Sequence, residues 1–365
     1  MSSNLFDSPS PSLTNFIVRL TSGKTCPTSG KCSYTFEFWA RDPRTNKPVQ
    51  VKNDDVIRQL QSIGMPPGYK KTYYNLDPNA DILAIGIDKA GRKQYRYKAS
   101  AIEEHANEKF NRMIPFIDAI QVIRKDIDDT LSKVSIKSPK FDEDVIIAMA
   151  IKLMDIGHFR IGSDQYREEH DSFGVSNLMP KHLHLVKKSK TLYIAFKGKS
   201  GVKNELSLSL SLPFTSLLWK LKLDAEQHES DHLFHWLNDD SLSKSQSLRS
   251  HHINDFIQQY GPFSAKDFRT YSANVELLKC LLPWASSNDP AMSTLKQRKS
   301  ILKDCVSSVA ALLHHTVSNS RKAYMYPLII NMFEKAPEIL GQIYESVKGP
   351  KKNSIDTTFA ALLRG

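Results

Sequence analysis

The sequence is short of the residues that mark several classes of protein. Its four cysteines are too few and too scattered over 365 residues for a disulfide scaffold, so we expect all four to be reduced thiols. Cys26 and Cys32 have no companion histidine or cysteine pair nearby, which argues against a zinc site. No apolar run approaches the roughly 18 residues of a membrane span, and Met1–Asn4 does not begin a signal peptide. These absences predict an intracellular, soluble protein.

Acidic residues are also in the minority. Lysine and arginine number 50 against 39 aspartates and glutamates, which gives a formal net charge of +11. An excess of this kind suits a polyanionic partner, either nucleic acid or an anionic membrane surface.

Part of the positive charge lies on a predicted hairpin. Residues 82–87 and 92–97 alternate as two strands around a turn that contains a glycine. The alternation puts Lys93, Tyr95 and Tyr97 on one face of the second strand. Basic and aromatic side chains in this mixture suit a surface along a phosphate backbone, although a solvated cationic edge strand has the same pattern.

Patterning divides the chain into a β-rich first part and a mainly helical second part. Apolar residues recur at helical spacing from Ala99 to about Ser132, where Pro115 predicts either a kink or two helices in series. The expected fold class is α+β, with a small antiparallel sheet inside the helical part. The expected divisions are a β-rich domain at 1–98 with disorder at 1–12, a mainly α-helical domain at 99–350, and a C-terminal tail at 351–365.

Two basic residues, Arg160 and Lys199, lie close to glycines at the ends of predicted elements. Arg160 follows a helix that stops at Gly157, and Lys199 lies in the turn 197–201 between two alternating strands. Taken alone, each is most simply a solvated cation. The Gly-Lys-Ser triplet at this turn is not a Walker A loop, because Tyr193 occupies the place of the first glycine and the strand-to-helix context is missing.

Further polar candidates lie on helices in the second half. A capping box at Ser264 opens a helix that carries Lys266 and Arg269 on its first turn. Downstream, one helix delivers His315, and Tyr324 follows on a second, short helix. In an arbitrary chain these last two would most simply be a helix-terminal histidine and a half-buried aromatic residue.

The order of these residues changes that interpretation. With the segments around them they resemble the type IB DNA topoisomerases, specifically the poxvirus, giant-virus and bacterial branch. The resemblance covers nearly the whole chain after about residue 50. The segments that carry it are Asp88–Tyr97, Phe159–Gly162 with Tyr166, Phe196–Lys199, Lys266–Tyr271, and His315–Thr316 with Arg321–Met325.

The resemblance implies a reaction and a set of roles. An enzyme of this family relaxes positive and negative supercoils by cutting one DNA strand, letting it swivel and religating it, without ATP or a metal. Tyr324 would be the nucleophile that forms a 3′-phosphotyrosyl link. Arg160, Arg269 and His315 would contact the non-bridging phosphate oxygens, and Lys199 would protonate the leaving 5′-oxygen. The positions that match DNA contacts in the family are Gln94, Tyr95, Tyr97, Tyr166 and Lys266.

The resemblance also implies an architecture and partners. The catalytic fold would be the one shared with tyrosine recombinases, and the two domains would form a C-shaped clamp around double-stranded DNA. The protein would act as a monomer without a cofactor, in a viral factory or virion if viral and in the nucleoid if bacterial.

The residue types fit this chemistry. A phosphodiester transition state gathers negative charge on its oxygens, and guanidinium and imidazole groups can stabilise that charge where no metal does so. The 5′-alkoxide is a poor leaving group, so a general acid at a movable turn is useful. His314 stands where the family commonly has a glycine, which leaves His314 and His315 as alternatives, although the interval to Tyr324 favours His315.

Two other functions are compatible with parts of the pattern. A tyrosine recombinase has a similar set of arginines, lysine and tyrosine, but usually has a histidine where this chain has Lys266, and its N-terminal domain is helical. A non-catalytic duplex-binding protein would explain the charge but not the order of the five site residues.

Overall fold

The computed structural model describes residues 5–11, 13–28, 31–237, 245–287, 289–347 and 354–364. The chain forms two compact units, Met1–Glu108 and Lys109–Gly365. Among the described residues, no helix combines the length and the apolar character that a bilayer crossing requires.

The described residues of the first unit form a six-stranded antiparallel sheet, a short helix, α1 (Asp54–Ser62), and most of a second helix at Ala99–Asn111. The strands lie side by side in the order β3-β2-β1-β4-β5-β6. Their bounds are β1 (Phe16–Thr25), β2 (Ser33–Arg41), β3 (Pro48–Gln50), β4 (Lys71–Asn75), β5 (Ile82–Ile87) and β6 (Lys93–Tyr97).

Both faces of this sheet are covered, because successive residues of a strand point to opposite sides. In β4, Tyr74 packs with Leu60 of α1 on one face, while Tyr73 packs with Phe6 on the other. Part of the segment 1–12, predicted to be disordered, therefore contributes a buried aromatic side chain; residues 1–4 and 12 lie outside the described residues.

The predicted hairpin is present as β5 and β6. Gly91 adopts a φ of +77°, as its place in the turn required, and the Asp88 carboxylate accepts the N–H of Ala90 at 2.9 Å. The rings of Tyr95 and Tyr97 stack on one face with centroids 6.1 Å apart. Arg96, on the opposite face, donates to the carbonyl of Ile63 at 3.0 Å. The two faces of β6 thus differ: one fixes the strand to its own unit, and the other presents aromatic rings.

The second part of the chain is mainly helical and carries two small antiparallel sheets. One is three-stranded in the order β7-β8-β9, and the other pairs β10 with β11. The strands are β7 (Leu183–Val186), β8 (Thr191–Lys197), β9 (Lys203–Ser209), β10 (His235–Trp236) and β11 (Gln246–Ser247). The helices are α2 (Ala99–Asn111), α3 (Met113–Ser132), α4 (Glu143–Ile156), α5 (Asp164–His170), α6 (Pro213–Gln227), α7 (Ser250–Gln258), α8 (Ala265–Ala285), α9 (Leu295–Leu312), α10 (Val317–Ala323), α11 (Pro327–Lys335), α12 (Pro337–Val347) and α13 (Ser354–Arg364). This mixture of helices and small antiparallel sheets confirms the predicted fold class at that level.

The long helical pattern from Ala99 is two helices in series, and the division falls at Arg112 rather than at Pro115. Pro115 lies in the first turn of α3. Backbone N–H groups there have no partner within the helix, so the missing N–H of proline costs no hydrogen bond. The amphipathic stripe of α3 faces the core, and it includes Phe116, Ile120 and Ile123, all fully buried.

Helix α8 is the central element of the second unit. It is buried on almost every side, with α3, α9 and α13 packed around it. The stretch after residue 350, predicted as a tail, contains α13, in which Phe359 is fully buried. The Asp356 carboxylate of α13 accepts from the Tyr271 hydroxyl of α8 at 2.5 Å. The last described helix is therefore part of the core that supports α8.

The expectation of four reduced thiols is wrong in this structure. Cys26 and Cys32 form a disulfide across the end of the β1–β2 hairpin, with Cα atoms 4.2 Å apart. Cys280 of α8 and Cys305 of α9 form a second one, with Cα atoms 5.7 Å apart. Cysteine count and spacing missed both pairs, since the strand turn and the helix packing that bring the thiols together are tertiary features.

Candidate active site

Arg269 is fixed by the way α8 begins. Ser264 N-caps the helix, and its N–H donates to the Asp267 carboxylate at 2.8 Å, the predicted capping box. One turn later the Arg269 side chain is only 4% exposed, and it donates to the carbonyl of Leu313 at 2.6 Å and to that of His158. Burial lowers the pKa of Arg269 to about 10, with Arg160 adding to the effect, so the guanidinium is still charged at neutral pH. A fixed cation is thereby held between two loops.

His315 follows the end of α9 and faces Arg269. Its backbone N–H donates to the carbonyl of Ala310 at 2.8 Å, and the ring nitrogen Nε2 accepts from the Arg269 guanidinium. Burial, followed by the charges of Arg269 and Arg160, lowers the pKa of His315 to about 3, so the imidazole is neutral at physiological pH.

The alternative histidine faces elsewhere. His314 has a φ of 52°, a left-handed conformation that turns its side chain away from that of its neighbour, and its ring stacks on Phe159 with centroids 5.4 Å apart. The ring of His315 instead lies 4.7 Å from the ring of Tyr324 between centroids. The geometry therefore favours His315 over His314 as the residue next to the tyrosine, as the spacing predicted.

Tyr324 ends the short helix α10, which Thr316 N-caps. The residue is half-buried, and the guanidinium carbon of Arg269 lies 5.7 Å from the centroid of its ring. The next side chain, Met325, is 1% exposed and anchors the segment in the core. The phenol thus sits on a backbone that is held from both sides.

Two residues that sequence reasoning missed hold this backbone. Asn274 is fully buried in α8; its amide nitrogen donates to the Tyr324 carbonyl at 2.9 Å, and its amide oxygen accepts the N–H of Tyr326 at 2.6 Å. Lys109 donates to the carbonyl of Ala323 at 3.0 Å. Burial, helped by the charge of Lys266, lowers the pKa of Lys109 to about 8. The available signal for Asn274 was a polar residue on the buried stripe of α8, five positions after Arg269.

Arg160 lies in the loop that follows α4. Its carbonyl accepts the N–H of Val175 at 2.8 Å, which ties this loop to the next one. The two chains pass so closely that a Cβ on Gly174 would lie 2.4 Å from the nitrogen of Gly162, a glycine with a φ of +85°. Burial lowers the pKa of Arg160, and the neighbouring Tyr324 phenol partly opposes the shift.

Lys199 lies in the turn between β8 and β9, as predicted. The N–H of Gly198 donates to the carbonyl of Val202 at 2.7 Å, and this hydrogen bond closes the turn. Ser200, inside the turn, has a φ of 62°. Lys199 is exposed, unlike Arg269. It nevertheless borders the same cavity.

This cavity gathers five of the ten predicted site residues. Its volume is about 420 Å³, and all the charged side chains that line it are basic. The predicted residues among its lining are Arg160, Lys199, Lys266, Arg269 and Tyr324. His315 reaches the group through its contacts with Arg269 and Tyr324. A cationic cavity with a phenol at its wall suits a phosphate group.

The remaining predicted DNA contacts lie elsewhere. Gln94, Tyr95 and Tyr97 are on β6 of the first unit, where Tyr95 is 43% exposed. Tyr166 is in α5, shortly after Arg160, and its side chain lies outside the described part of the chain.

Comparison with known proteins identifies the family of this chain. The family model of the eukaryotic DNA topoisomerase I catalytic core matches residues 97–343, more than half of the chain. The chain belongs to the type IB DNA topoisomerase family. Membership implies double-stranded DNA as the partner of the protein.

Viral members of the family are among its relatives. The DNA topoisomerase 1B of Acanthamoeba polyphaga mimivirus is 29% identical over 302 residues, which cover 80% of this chain and 83% of the relative. The DNA topoisomerase 1 of rabbit fibroma virus is 24% identical over 279 residues, 75% of this chain and 79% of the relative. The DNA topoisomerase 1B of vaccinia virus, strain Copenhagen, is 26% identical over 251 residues, 69% of this chain and 72% of the relative. The family match, residues 97–343, thus covers most of the unit that holds the cavity.

Proposed function

We propose that this protein relaxes positive and negative DNA supercoils through a covalent phosphotyrosyl intermediate. Tyr324 attacks a phosphodiester of one strand: its phenolic proton passes to solvent, its oxygen forms a bond to phosphorus, and the 5′-oxygen of the next nucleotide leaves. The products are a 3′-phosphotyrosyl link and a free 5′-hydroxyl. The observation that carries the proposal is the position of the Tyr324 phenol in a cavity whose charged lining residues are all basic.

Two arginines and a histidine stabilise the charge of the transition state in this proposal. Arg160 and Arg269 both border the cavity, and each offers a planar fork of N–H donors to non-bridging oxygens. His315 lies beside the phenol ring, and in this proposal its neutral imidazole turns from Arg269 to give its one N–H to a phosphate oxygen. Because Arg269 is already held by backbone carbonyls, it needs little reorganisation when the charge develops.

Lys199 supplies the proton for the leaving 5′-oxygen. Its exposed turn lets the ammonium reach a leaving group at the mouth of the cavity. In religation the same steps run in reverse: the 5′-hydroxyl attacks the phosphotyrosine and gives its proton to Lys199, and Tyr324 leaves and takes up a proton from solvent. The energy of the broken bond is kept in the phosphotyrosine, so the cycle needs no ATP, and the chemical steps are assigned to side chains alone.

The DNA contacts complete the proposal. Lys266 borders the cavity, and Gln94, Tyr95 and Tyr97 offer a polar and aromatic surface on β6 of the first unit. Both units would bind the same duplex, as the predicted clamp requires, and the protein would act as a monomer. With a net charge of +11, binding should weaken steeply as salt is raised.

The relaxation assay tests the reaction. Negatively and positively supercoiled plasmid is incubated without ATP, in the presence of EDTA, with the wild type, Tyr324→Phe and Tyr326→Phe. The proposal predicts that the wild type and Tyr326→Phe relax both substrates and that Tyr324→Phe relaxes neither. Tyr326 is the matched control because it is a tyrosine two positions away on the same segment, packed against Phe110.

A tyrosine recombinase is the first of the two alternatives that the sequence left open. Lys266 stands where a recombinase usually has a histidine, and it borders the cavity. A recombinase would join paired sites and leave a lone plasmid supercoiled, so binding without relaxation by the wild type would favour it, or a plain duplex-binding protein, over the proposal.

A further inference from the structure

A cluster of three potential metal ligands lies outside the cavity described above. Asp224 and His228 are one helical turn apart at the C-terminal end of α6, and His235 begins β10. One ligand atom from each of the three lies within 4.8 Å of the others. Among the described residues this is the one group of three histidine, cysteine or carboxylate side chains that meets so closely. Nothing in the proposed reaction uses it.

The buried member of the cluster is oriented like a metal ligand. His235 is fully buried, and its Nδ1 lies 3.3 Å from the carbonyl of Leu233. A carbonyl can only accept, so Nδ1 carries the proton of this hydrogen bond and Nε2 is left with its lone pair. Metal-binding histidines commonly use one ring nitrogen for the metal and give the other N–H to a backbone carbonyl in this way.

The surroundings of Nε2 make the lone pair costly without a cation. Nε2 is buried and pairs with a carboxylate oxygen of Asp224 at 3.2 Å, outside hydrogen-bond geometry. A nitrogen lone pair that faces a carboxylate is repulsive. A metal ion between the two groups would replace this repulsion with a bond from each group to the metal.

We propose that Asp224, His228 and His235 bind one zinc ion. Two imidazole nitrogens and one carboxylate oxygen are a donor set that zinc takes at three positions, with the fourth left for water. Asp224 and His228 are 33% and 31% exposed, so the ion can enter from solvent and keep that water. Two nitrogen ligands disfavour magnesium and calcium, which prefer an all-oxygen shell.

The ion would fasten a loop rather than take part in catalysis. It links the end of α6 to β10 and so closes the loop between them. That loop also carries His232, which contacts Asp164 of α5 at 3.1 Å, and α5 follows the loop that bears Arg160. Zinc binding should therefore stabilise the second unit, and the chemical steps assigned to Tyr324 do not depend on it.

The test measures metal directly, so its result is independent of supercoil relaxation. The full chain is stripped with a chelator, dialysed, and titrated with zinc chloride by calorimetry, with bound zinc measured by elemental analysis after gel filtration. We expect one zinc per chain and a higher unfolding temperature with zinc than without. Absence of stoichiometric zinc would overturn the proposal and leave a plain ion pair between His235 and Asp224.

Variants assign the ligands. His228→Ala keeps the buried histidine and changes only a partly exposed side chain at the helix end, so the variant should fold. It should lower zinc affinity at least about 100-fold, because loss of a residue that merely hydrogen-bonds to a metal ligand already costs about 10–100-fold. His235→Ala should abolish binding. The control is His184→Ala, an exposed histidine of β7, which should bind zinc as the wild type does. Wild-type affinity in His228→Ala would contradict the assignment.

Discussion

The two sides of the cationic cavity are built in opposite ways. On the α8 side, Arg269 is 4% exposed and is held by two backbone carbonyls and by His315. On the β8–β9 side, Lys199 is exposed at a turn with left-handed residues. A group that stabilises developing charge works best when it is fixed beforehand, whereas a proton donor must approach its acceptor and withdraw. In the proposed reaction the fixed side would therefore stabilise charge, and the exposed side would transfer the proton.

Loss of the fixed cation should have the largest effect among the residues that surround the phenol. Arg269→Ala should lower the single-turnover cleavage rate about 10²–10³-fold or more, as loss of one preorganised donor does elsewhere. Arg298→Ala is the control, because Arg298 also donates to backbone carbonyls, those of Glu334 and Met292, but does not border the cavity. If the two variants cleaved equally slowly, the role of Arg269 would be structural rather than electrostatic.

Loss of Lys199 should have a large effect on cleavage, and a change in the DNA substrate should reverse most of it. Lys199→Ala should cleave ordinary DNA about 10²-fold more slowly, the lower end of the range of general acid catalysis. A substrate with sulfur in place of the 5′-bridging oxygen should restore most of the rate, because a thiolate leaves without a proton. Arg269→Ala should gain no such rescue. Lys203→Ala, an exposed lysine at the start of β9, should be near wild type on both substrates.

Loss of the Asn274 side chain, which holds the backbone behind the phenol, should have an intermediate effect. Asn274→Ala removes both hydrogen bonds that hold the Tyr324 segment and leaves buried backbone groups without partners, at a cost of about 1–3 kcal/mol in the free energy of unfolding. We expect about tenfold slower cleavage, equivalent to about 1.4 kcal/mol, at unchanged DNA affinity. Asn319→Ala, an exposed asparagine of α10, should change neither quantity. Weakened DNA binding with normal cleavage would rule out a positioning role for Asn274.

The smallest effect concerns pH. The pKa of His315 is about 3 in the folded protein and about 6.5 in an unfolded chain, so the unfolded state binds more protons between these values. The contribution of His315 to stability is thus complete above about pH 6.5 and is lost as the pH falls toward 3. Between pH 7.5 and 5.0 the wild type should lose on the order of 1–2 kcal/mol more than His315→Gln in urea unfolding. Equal losses would mean that the imidazole is not kept neutral.

The sequence predicted the parts of this site that stand at element ends. Arg160 after a helix stop, Lys199 in a glycine turn and Arg269 behind a capping box all have local signals, and the structure brings them to one cavity. Their roles remain proposals. The signal for Asn274, a polar residue on the buried stripe of α8, becomes meaningful only when the backbone that it holds is known. Cys280 and Cys305 were missed for the same reason, since helix packing decides which thiols meet.

The C-terminal segment shows the same limit. The sequence after residue 350 was predicted as a tail, yet α13 buries Phe359 and bonds to α8 through Asp356. Local pattern predicts an element, whereas its place in the core depends on partners far away in sequence, here Tyr271 and Gln121.

The covalent intermediate is the most direct test of the account. Supercoiled plasmid is mixed with the wild-type protein, the reaction is stopped with detergent, and the protein-linked DNA is digested and mapped by mass spectrometry, while free 5′-hydroxyl ends are labelled with polynucleotide kinase. The account predicts a phosphodinucleotide or shorter remnant on the Tyr324 peptide, attached through a 3′-phosphate, together with 5′-hydroxyl ends that take the label. A link at a 5′-phosphate, a link to another residue, or relaxation with no adduct at all would contradict it.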